Sequence, residues 1–435
     1  MRIAVIGAGY VGLVSAACFA EIGHDVISID KDLSKINALK QGKVPIYEPD
    51  LAQMIIKNMN AERLIFTDSL QDIIPTVDVV FIAVGTPSRR GDGHADLSYV
   101  YAASEEIAPL IDGYTVIVNK STVPVGTAKE VYNLIAQKNP QAHFDVVSNP
   151  EFLREGAAIG DFMKPDRIVI GADHDKAFDM MRAVYAPLLK DAVIFATMGT
   201  QSSELCKYAS NAFLAMKVTF INEMSDLAEK ANANIEDIAY AMGLDNRIGS
   251  RFLQTGPAYG GSCFPKDTKA LMRTARDYDV PMKLVETTIS VNDERPYNMV
   301  KKIMHAVGGS LKDKKIAVLG LTFKAGTDDM RDAPSLKILP ALYHKGAKII
   351  SYDPEGMTEA KTCLQDITAF SDGIYETLKG ADLCVILTEW DQFRALDWEK
   401  VKETMQTPKV VDLRNLYNPE EVILNGIDYS SLGRP

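Results

Sequence analysis

The chain opens on Arg2-Ile-Ala-Val-Ile6, a β-branched run with no polar alternation, the pattern of a strand buried on both faces of a parallel sheet. A glycine turn follows, then a helical stretch from Val11 to Ile22. Gly23 stops that helix, and Asp25-Val-Ile-Ser-Ile29 makes the next strand. Further strand-like runs fall at Val77–Val84, Thr115–Val118, Asp145–Val147, Arg167–Ile170 and Val193–Ala196. Strands alternating with helices predict a doubly wound α/β sheet over residues 1–196.

From Thr200 the pattern changes. Ser202 to Ile221 contains no breaker and predicts one long helix, and helical sequence continues to Lys302. Such a connector suits the joining of two sheets and the pairing of subunits. Beyond it the first part is echoed three times in the same order. Lys315-Ile-Ala-Val-Leu-Gly320 repeats Arg2 to Gly7, Gly346 to Asp353 repeats Gly23 to Asp30, and Ala381 to Leu387 repeats Val77 to Ala83. The predicted fold is α/β: two Rossmann-like doubly wound domains, 1–196 and 303–435, joined by a central helical domain, 197–302, with one long helix.

Gly7-Ala-Gly-Tyr-Val-Gly12 is G-x-G-x-x-G placed directly after a strand and opening a helix. Gly7 makes the tight turn, Gly9 lets backbone approach a pyrophosphate, and Gly12 packs the helix close, with its N-terminus offered to phosphates. Tyr10 and Val11 belong to the same cradle, Tyr10 as packing. Asp30 ends the second strand 18 residues after Gly12, where a carboxylate accepts the ribose hydroxyls. It would repel a 2′-phosphate, so NAD is favoured over NADP, with Lys31 and Lys35 softening the discrimination. The fingerprint is absent after Gly320, so a second dinucleotide is not expected there.

Charge and cysteine usage narrow the classes. A formal charge of −11 argues against nucleic-acid binding, which rests on phosphate neutralisation. The five cysteines are Cys18, Cys206, Cys263, Cys363 and Cys384. They are odd in number and lack metal-ligand spacing, which predicts no metal site and fits reduced thiols in a cytoplasmic protein. Arg2 and the apolar run to Ala20 resemble a signal peptide only superficially, because removing them deletes the first core strand. No other apolar stretch approaches the ~20 residues of a membrane span, so no membrane partner is expected.

One cysteine stands apart. Gly260-Gly-Ser-Cys-Phe-Pro-Lys-Asp267 sets Cys263 beside two glycines, with Lys266 and Asp267 three and four residues on, a setting that favours thiolate. A thiolate near a nicotinamide can trap an aldehyde as a thiohemiacetal, which can then donate a second hydride.

These motifs resemble the UDP-glucose/GDP-mannose dehydrogenase family of nucleotide-sugar 6-dehydrogenases. The resemblance is carried by Gly7 to Gly12, Lys120-Ser-Thr-Val-Pro-Val-Gly126, Asn149 to Gly156, Lys207 to Phe213, Gly260 to Asp267 and Gly320 to Lys324, in family order along the whole chain. It implies oxidation of a sugar C6 alcohol to a carboxylate with two NAD in succession, UDP-glucose being the implied substrate. Cys263 matches the nucleophile, and Lys207 and Asn211 the pair that steadies charge on the C6 oxygen. Their i, i+4 spacing puts them on one helix face, and apolar Leu205, Phe213 and Leu214 suggest a partly buried setting. Glu151 matches the general base for thioester hydrolysis, with Asp267 and Thr122 positioning water. Lys35, Thr86, Glu155, Lys266 and Arg331 match cofactor-side positions. For the substrate, the resemblance implies Glu151, Phe152, Leu153, Arg154 and Glu155, the loop Phe252, Leu253, Gln254, Thr255 and Gly256, and Gly260 and Lys324. Arg247 matches an arginine that reaches across a homodimer interface, which implies a dimer through the central helices. The chain departs from the family pattern at Ala258, where glycine is frequent, and at Lys35, where arginine is also common.

Two rival readings remain. The same chemistry on GDP-mannose or another nucleotide sugar differs only in substrate, and Lys266 argues against the N-acetylated branch. A non-catalytic NAD-binding regulatory protein predicts a broken catalytic set, whereas Thr122, Glu151, Lys207, Asn211, Cys263 and Asp267 are all present.

Overall fold

The structure, a computed structural model, describes residues 1–89 and 93–434. It divides into two bodies. The first is Met1–Ser210 with Lys269–Val280; the second is Asn211–Thr268 with the described residues from Pro281 onward.

The first body holds one sheet of β1 (Arg2–Ile6), β2 (Asp25–Ile29), β3 (Leu64–Thr67), β4 (Val79–Ile82), β5 (Tyr114–Asn119), β6 (His143–Ser148), β7 (Arg167–Gly171) and β8 (Ile194–Met198). Their order is β3-β2-β1-β4-β5-β6-β7-β8. The first six are mutually parallel in Rossmann order, so their carboxyl ends form one edge, where ligands bind in such sheets. Successive side chains of β1 go to opposite faces. Ile3 and Val5 join Leu13, Val14 and Phe19 of the first helix, α1 (Tyr10–Glu21), while Ala4 and Ile6 join Ile27, Val80 and Ile82. At β7 the direction reverses through a single antiparallel pairing, Ser148 with Gly171. The link carries only a six-residue helix, Ala158–Met163, about 9 Å long, too short to retrace the sheet for a parallel return. β3 was not predicted; Leu64-Ile-Phe-Thr67 is four residues long with only two side chains buried.

Further helices are α2 (Thr127–Lys138), α3 (Thr200–Lys230), α4 (Phe264–Asp277) and α5 (Lys283–Ala306). The predicted long helix is α3, at 31 residues longer than its breaker-free core suggested.

The second body contains β9 (Lys315–Leu319), β10 (Lys348–Tyr352), β11 (Ala369–Phe370), β12 (Leu383–Ile386), β13 (Lys409–Asp412) and β14 (Asp428–Ser430). Their order, β11-β10-β9-β12-β13-β14, repeats that of the first six strands, as the sequence echoes required. At the end of β10, Asp353 is buried and accepts hydrogen bonds from the N–H groups of Leu321 (2.6 Å) and Thr322 (3.1 Å) and from Trp390 Nε1 (3.2 Å). Its acceptor capacity is thus taken up inside the protein.

Candidate active site

In the first body the glycine fingerprint forms a cradle. Gly7 has φ +103°, and a Cβ there would sit 2.7 Å from the Ala83 carbonyl oxygen. A Cβ on Gly12 would sit 1.8 Å from the Gly7 oxygen, whereas one on Gly9 would meet open space. The N-cap of α1 is Gly9, so no cap side chain competes for the first N–H groups of the helix, which suit an anion. Asp30 accepts from Ala8 N (2.7 Å), Asp32 N (3.0 Å) and Lys35 Nζ (2.9 Å). Burial pushes its carboxyl up, but these donors together outweigh burial and hold it below its usual range. A cradle with an open middle glycine and an ionised carboxylate at the end of β2 fits NAD. Thr86 donates to the Thr122 carbonyl at 3.0 Å, joining two of the predicted positions.

Glu48, which sequence reasoning missed, organises the wall of this cradle. Its carboxylate accepts from Gly156 N (2.6 Å), Ala158 N (2.8 Å) and the Tyr10 hydroxyl. Burial first, and then this carboxylate, push the Tyr10 phenol up. The loop following Glu155 is thereby tied to the glycine turn.

After β6 come Glu151 and Phe152. Glu151 is buried and lies 3.1 Å from Lys207 Nζ on α3, with its other oxygen accepting from Leu153 N at 2.6 Å. Lys207 is 3% exposed. Its ammonium also sits 5.3 Å from the centre of the Phe152 ring, which Arg167 covers at 3.9 Å. Two cations thus lie close to the Phe152 ring, and Arg154 is engaged by Asp161 at 2.6 Å. A second group joins residues to which the sequence assigned no role, although Lys120 and Asn149 open two of the family motifs. Lys120 Nζ donates to Asn149 Oδ1 (3.1 Å) and to the Tyr185 hydroxyl (3.2 Å), and that hydroxyl donates to the same Asn149 oxygen at 2.6 Å. Burial pulls the Lys120 ammonium down to about 8; Glu151 opposes and Lys207 assists that shift.

In the second body, Asn211 is 5% exposed and donates to Asp267 Oδ2 at 2.6 Å, while Lys266 contacts the other carboxylate oxygen. Asn211 lies one turn beyond Lys207 on α3, as the spacing predicted. Leu205 and Phe213, which suggested the buried setting, are 43% and 58% exposed. The burial of Lys207 and Asn211 comes instead from the opposite face of the helix.

Cys263 immediately precedes α4 and its carbonyl accepts Asp267 N at 2.8 Å, the first turn of that helix. Gly260 and Gly261 before it are tightly confined. A Cβ on Gly260 would lie 2.4 Å from the Asp332 oxygen, and one on Gly261, at φ +80°, 2.6 Å from the Phe323 ring. Phe252 takes φ +66°, and Leu253, Thr255 and Gly256 are buried while Gln254 is exposed. Lys324 lies 5.4 Å from the Phe323 ring. Arg331 is exposed and paired with Asp329 at 2.8 Å, and Arg247 is exposed and paired with Asp245 at 2.6 Å. Among the described residues no group of His, Cys, Asp and Glu could hold a metal, and no helix is long and apolar enough to cross a membrane.

The chain matches the UDP-glucose/GDP-mannose dehydrogenase family along its length: the NAD binding domain over residues 1–189, the central domain over 201–294 and the UDP binding domain over 317–419. It is 57% identical over 439 aligned residues to the UDP-glucose 6-dehydrogenase of Rhizobium meliloti strain 1021, with both chains fully covered. It resembles the solved structure of a UDP-glucose dehydrogenase from the hyperthermophilic archaeon Pyrobaculum islandicum with a TM-score of 0.90 and 35% identity, covering 99% of this chain and 96% of that one. Against a ternary complex of GDP-mannose dehydrogenase from Pseudomonas aeruginosa the TM-score is 0.55 at 28% identity, with 99% of each chain covered.

Proposed function

The chain belongs to the UDP-glucose/GDP-mannose dehydrogenase family, and on that premise we propose that it oxidises UDP-glucose to UDP-glucuronate with two NAD per sugar. The observation that carries the reading is the polar row on α3: Lys207 beside Glu151, and one turn later Asn211 beside Asp267, four residues after Cys263. A simple alcohol dehydrogenase has no use for such a cysteine.

Gly7 to Gly12 and Asp30 would hold NAD, which would supply the hydride acceptor for each of the two oxidations at C6. Lys207 and Asn211 steady the negative charge on the C6 oxygen. The Cys263 thiolate adds to the aldehyde carbon to give a thiohemiacetal, and loss of the second hydride leaves a thioester. Glu151 takes a proton from water as it attacks that carbonyl, Asp267 and Thr122 orient the water, and the C–S bond breaks to return the thiolate. Two hydrides and three protons leave and one water enters for each carboxylate formed. Thr86, Glu155, Lys266 and Arg331 serve the cofactor side. The loop Phe252–Gly256, Gly260 and Lys324 receive the nucleotide sugar, with residues 1–196, 197–302 and 303–435 dividing cofactor, connector and sugar-nucleotide duties.

We also propose a cytoplasmic homodimer. Leu205, Phe213, Phe220 and Leu227 recur every seven or eight residues and form an exposed apolar stripe along α3, which a second copy would cover and into whose site Arg247 would reach. The substrate is tested by following NADH with UDP-glucose, GDP-mannose and UDP-N-acetylglucosamine under identical conditions. UDP-glucose should be favoured by at least about a hundredfold in kcat/KM. Preference for another sugar nucleotide would replace the substrate while leaving the chemistry in place.

A further inference from the structure

The segment Leu253–Gly260 has no regular secondary structure, yet residues 255–260 are all buried. Buried backbone N–H and C=O groups require partners, and here side chains supply them. Gly256 N donates to Asn222 Oδ1 on α3 at 2.9 Å, and Gly256 O accepts from Arg295 Nε on α5 at 2.6 Å. Tyr259 N donates to Asn292 Oδ1 at 2.8 Å, and Tyr259 O accepts from Asn292 Nδ2 at 3.1 Å. Asn292 thus pairs with Tyr259 as a neighbouring strand would. Asn292 and Arg295 are three residues apart on α5 and so share a face. Arg295 is buried and is itself held by the Asn222 carbonyl (3.1 Å) and Asp226 (3.2 Å) on α3. Two residues beyond Tyr259, Gly261 N donates to the Arg331 carbonyl at 2.8 Å, so the chain entering Cys263 is fixed at three successive points.

We propose that Asn222, Asn292 and Arg295 are positioning residues that hold the loop 252–260 in its sugar-nucleotide-receiving conformation and thereby set the approach to Cys263. The inference rests on the reading that this loop receives the substrate. None of the three needs to touch the substrate. A clamp of this kind acts through the fraction of molecules whose loop is competent, so losing it raises the apparent dissociation constant in proportion. Binding at Gly7 to Gly12 and Asp30 belongs to the other body and is predicted to be unaffected.

The test uses the full chain with Asn292→Ala, Asn292→Asp and Arg295→Lys. Asn292→Ala should raise KM for UDP-glucose about tenfold while KM for NAD stays put and kcat changes less than about threefold. Asn292→Asp keeps the acceptor for Tyr259 N–H and should lie between it and wild type. Arg295→Lys keeps the charge near Asp226 but loses the guanidinium fork, and should also raise KM for the sugar. The concentration of UDP-glucose that protects Cys263 from iodoacetamide should rise in parallel. A sugar KM within about twofold of wild type in Asn292→Ala and Arg295→Lys would overturn the proposal, as would a fall in kcat with KM unchanged. If Asn292→Ala does not fold, the two milder variants decide on the same criteria. If UDP-glucose fails to protect wild-type Cys263, the substrate reading is at fault. The clamp is then judged on the alkylation rate without ligand, which should rise in the variants and would overturn the clamp by staying unchanged.

Discussion

Glu204 on α3 offers a quantitative test of how the first body is held together. Its carboxylate is buried and accepts from Gly126 N (2.7 Å) and Ala128 N (2.7 Å) at the start of α2, three residues before Lys207. Burial raises its pKa from 4.5 to about 7; the two N–H donors oppose this, and Glu130 and Asp173 add to it. Because the folded value exceeds the unfolded one, the folded state keeps a proton that the unfolded chain loses between these two values. Stability from this group is therefore complete below pH 4.5 and declines as pH rises through about 7. At ~1.4 kcal/mol per pH unit the loss is about 3 kcal/mol, which for a body of this size corresponds to about 6–10 °C in Tm. Glu204→Gln has no proton to lose. Its amide NH2 faces one of the two N–H donors, which costs ~1–3 kcal/mol at every pH but adds no slope. Thermal unfolding of both proteins from pH 4.5 to 8.5 isolates the effect, because all other groups cancel in the difference. Wild type should lead at low pH and lose several degrees of that lead by pH 8. A Tm difference constant to within about 2 °C across the range would show that Glu204 does not carry this pH dependence.

Further outcomes follow from the proposed roles. Cys263→Ser should abolish net UDP-glucuronate formation, measured by chromatography of the product; substantial acid from this variant contradicts the covalent step. Lys207→Ala should lower kcat by roughly 10²–10³, since it removes a charge-stabilising donor, and a rate near wild type would return Lys207 to a structural role. Asp30→Ser should weaken NAD binding about tenfold and improve use of NADP, both read from initial rates; unchanged selectivity would separate Asp30 from the ribose. Phe220→Asp, in the exposed stripe of α3, should shift the mass measured by light scattering towards the monomer, whereas an unchanged dimer would place the interface elsewhere.

Much of the architecture was legible because it is periodic and local. The unalternated run Arg2–Ile6, its echo Lys315–Leu319 and the order of the three echoes correctly implied two Rossmann-like sheets, and the six-stranded second sheet repeats the order of the first six strands of the first. β3 escaped because a four-residue edge strand with two buried side chains carries almost no pattern. The candidate site residues that the sequence proposes lie in contiguous motifs, as in Gly260–Asp267. The polar contacts that support them were not legible. Lys120 meets Asn149 and Tyr185, 29 and 65 residues away, and Glu48 meets Gly156 across 108. No sequence periodicity links partners at such separations; only the known pairing of strand ends could have suggested them. Phe213 shows the reverse case. Its apolar character pointed to a buried face, yet it stands outward on α3 while Lys207 and Asn211 are buried. On a helix whose exposed face carries apolar residues while Lys207 and Asn211 are buried, apolar neighbours no longer report which face is inside.

In the proposed reaction one chain carries a sugar alcohol through two oxidations without releasing the aldehyde. The most direct measurement is the amount of NADH formed from a limiting, known quantity of UDP-glucose with NAD in excess. Two NADH per sugar are expected, with UDP-glucuronate as the sole sugar product. One NADH per sugar, with an aldehyde accumulating, would contradict that reaction.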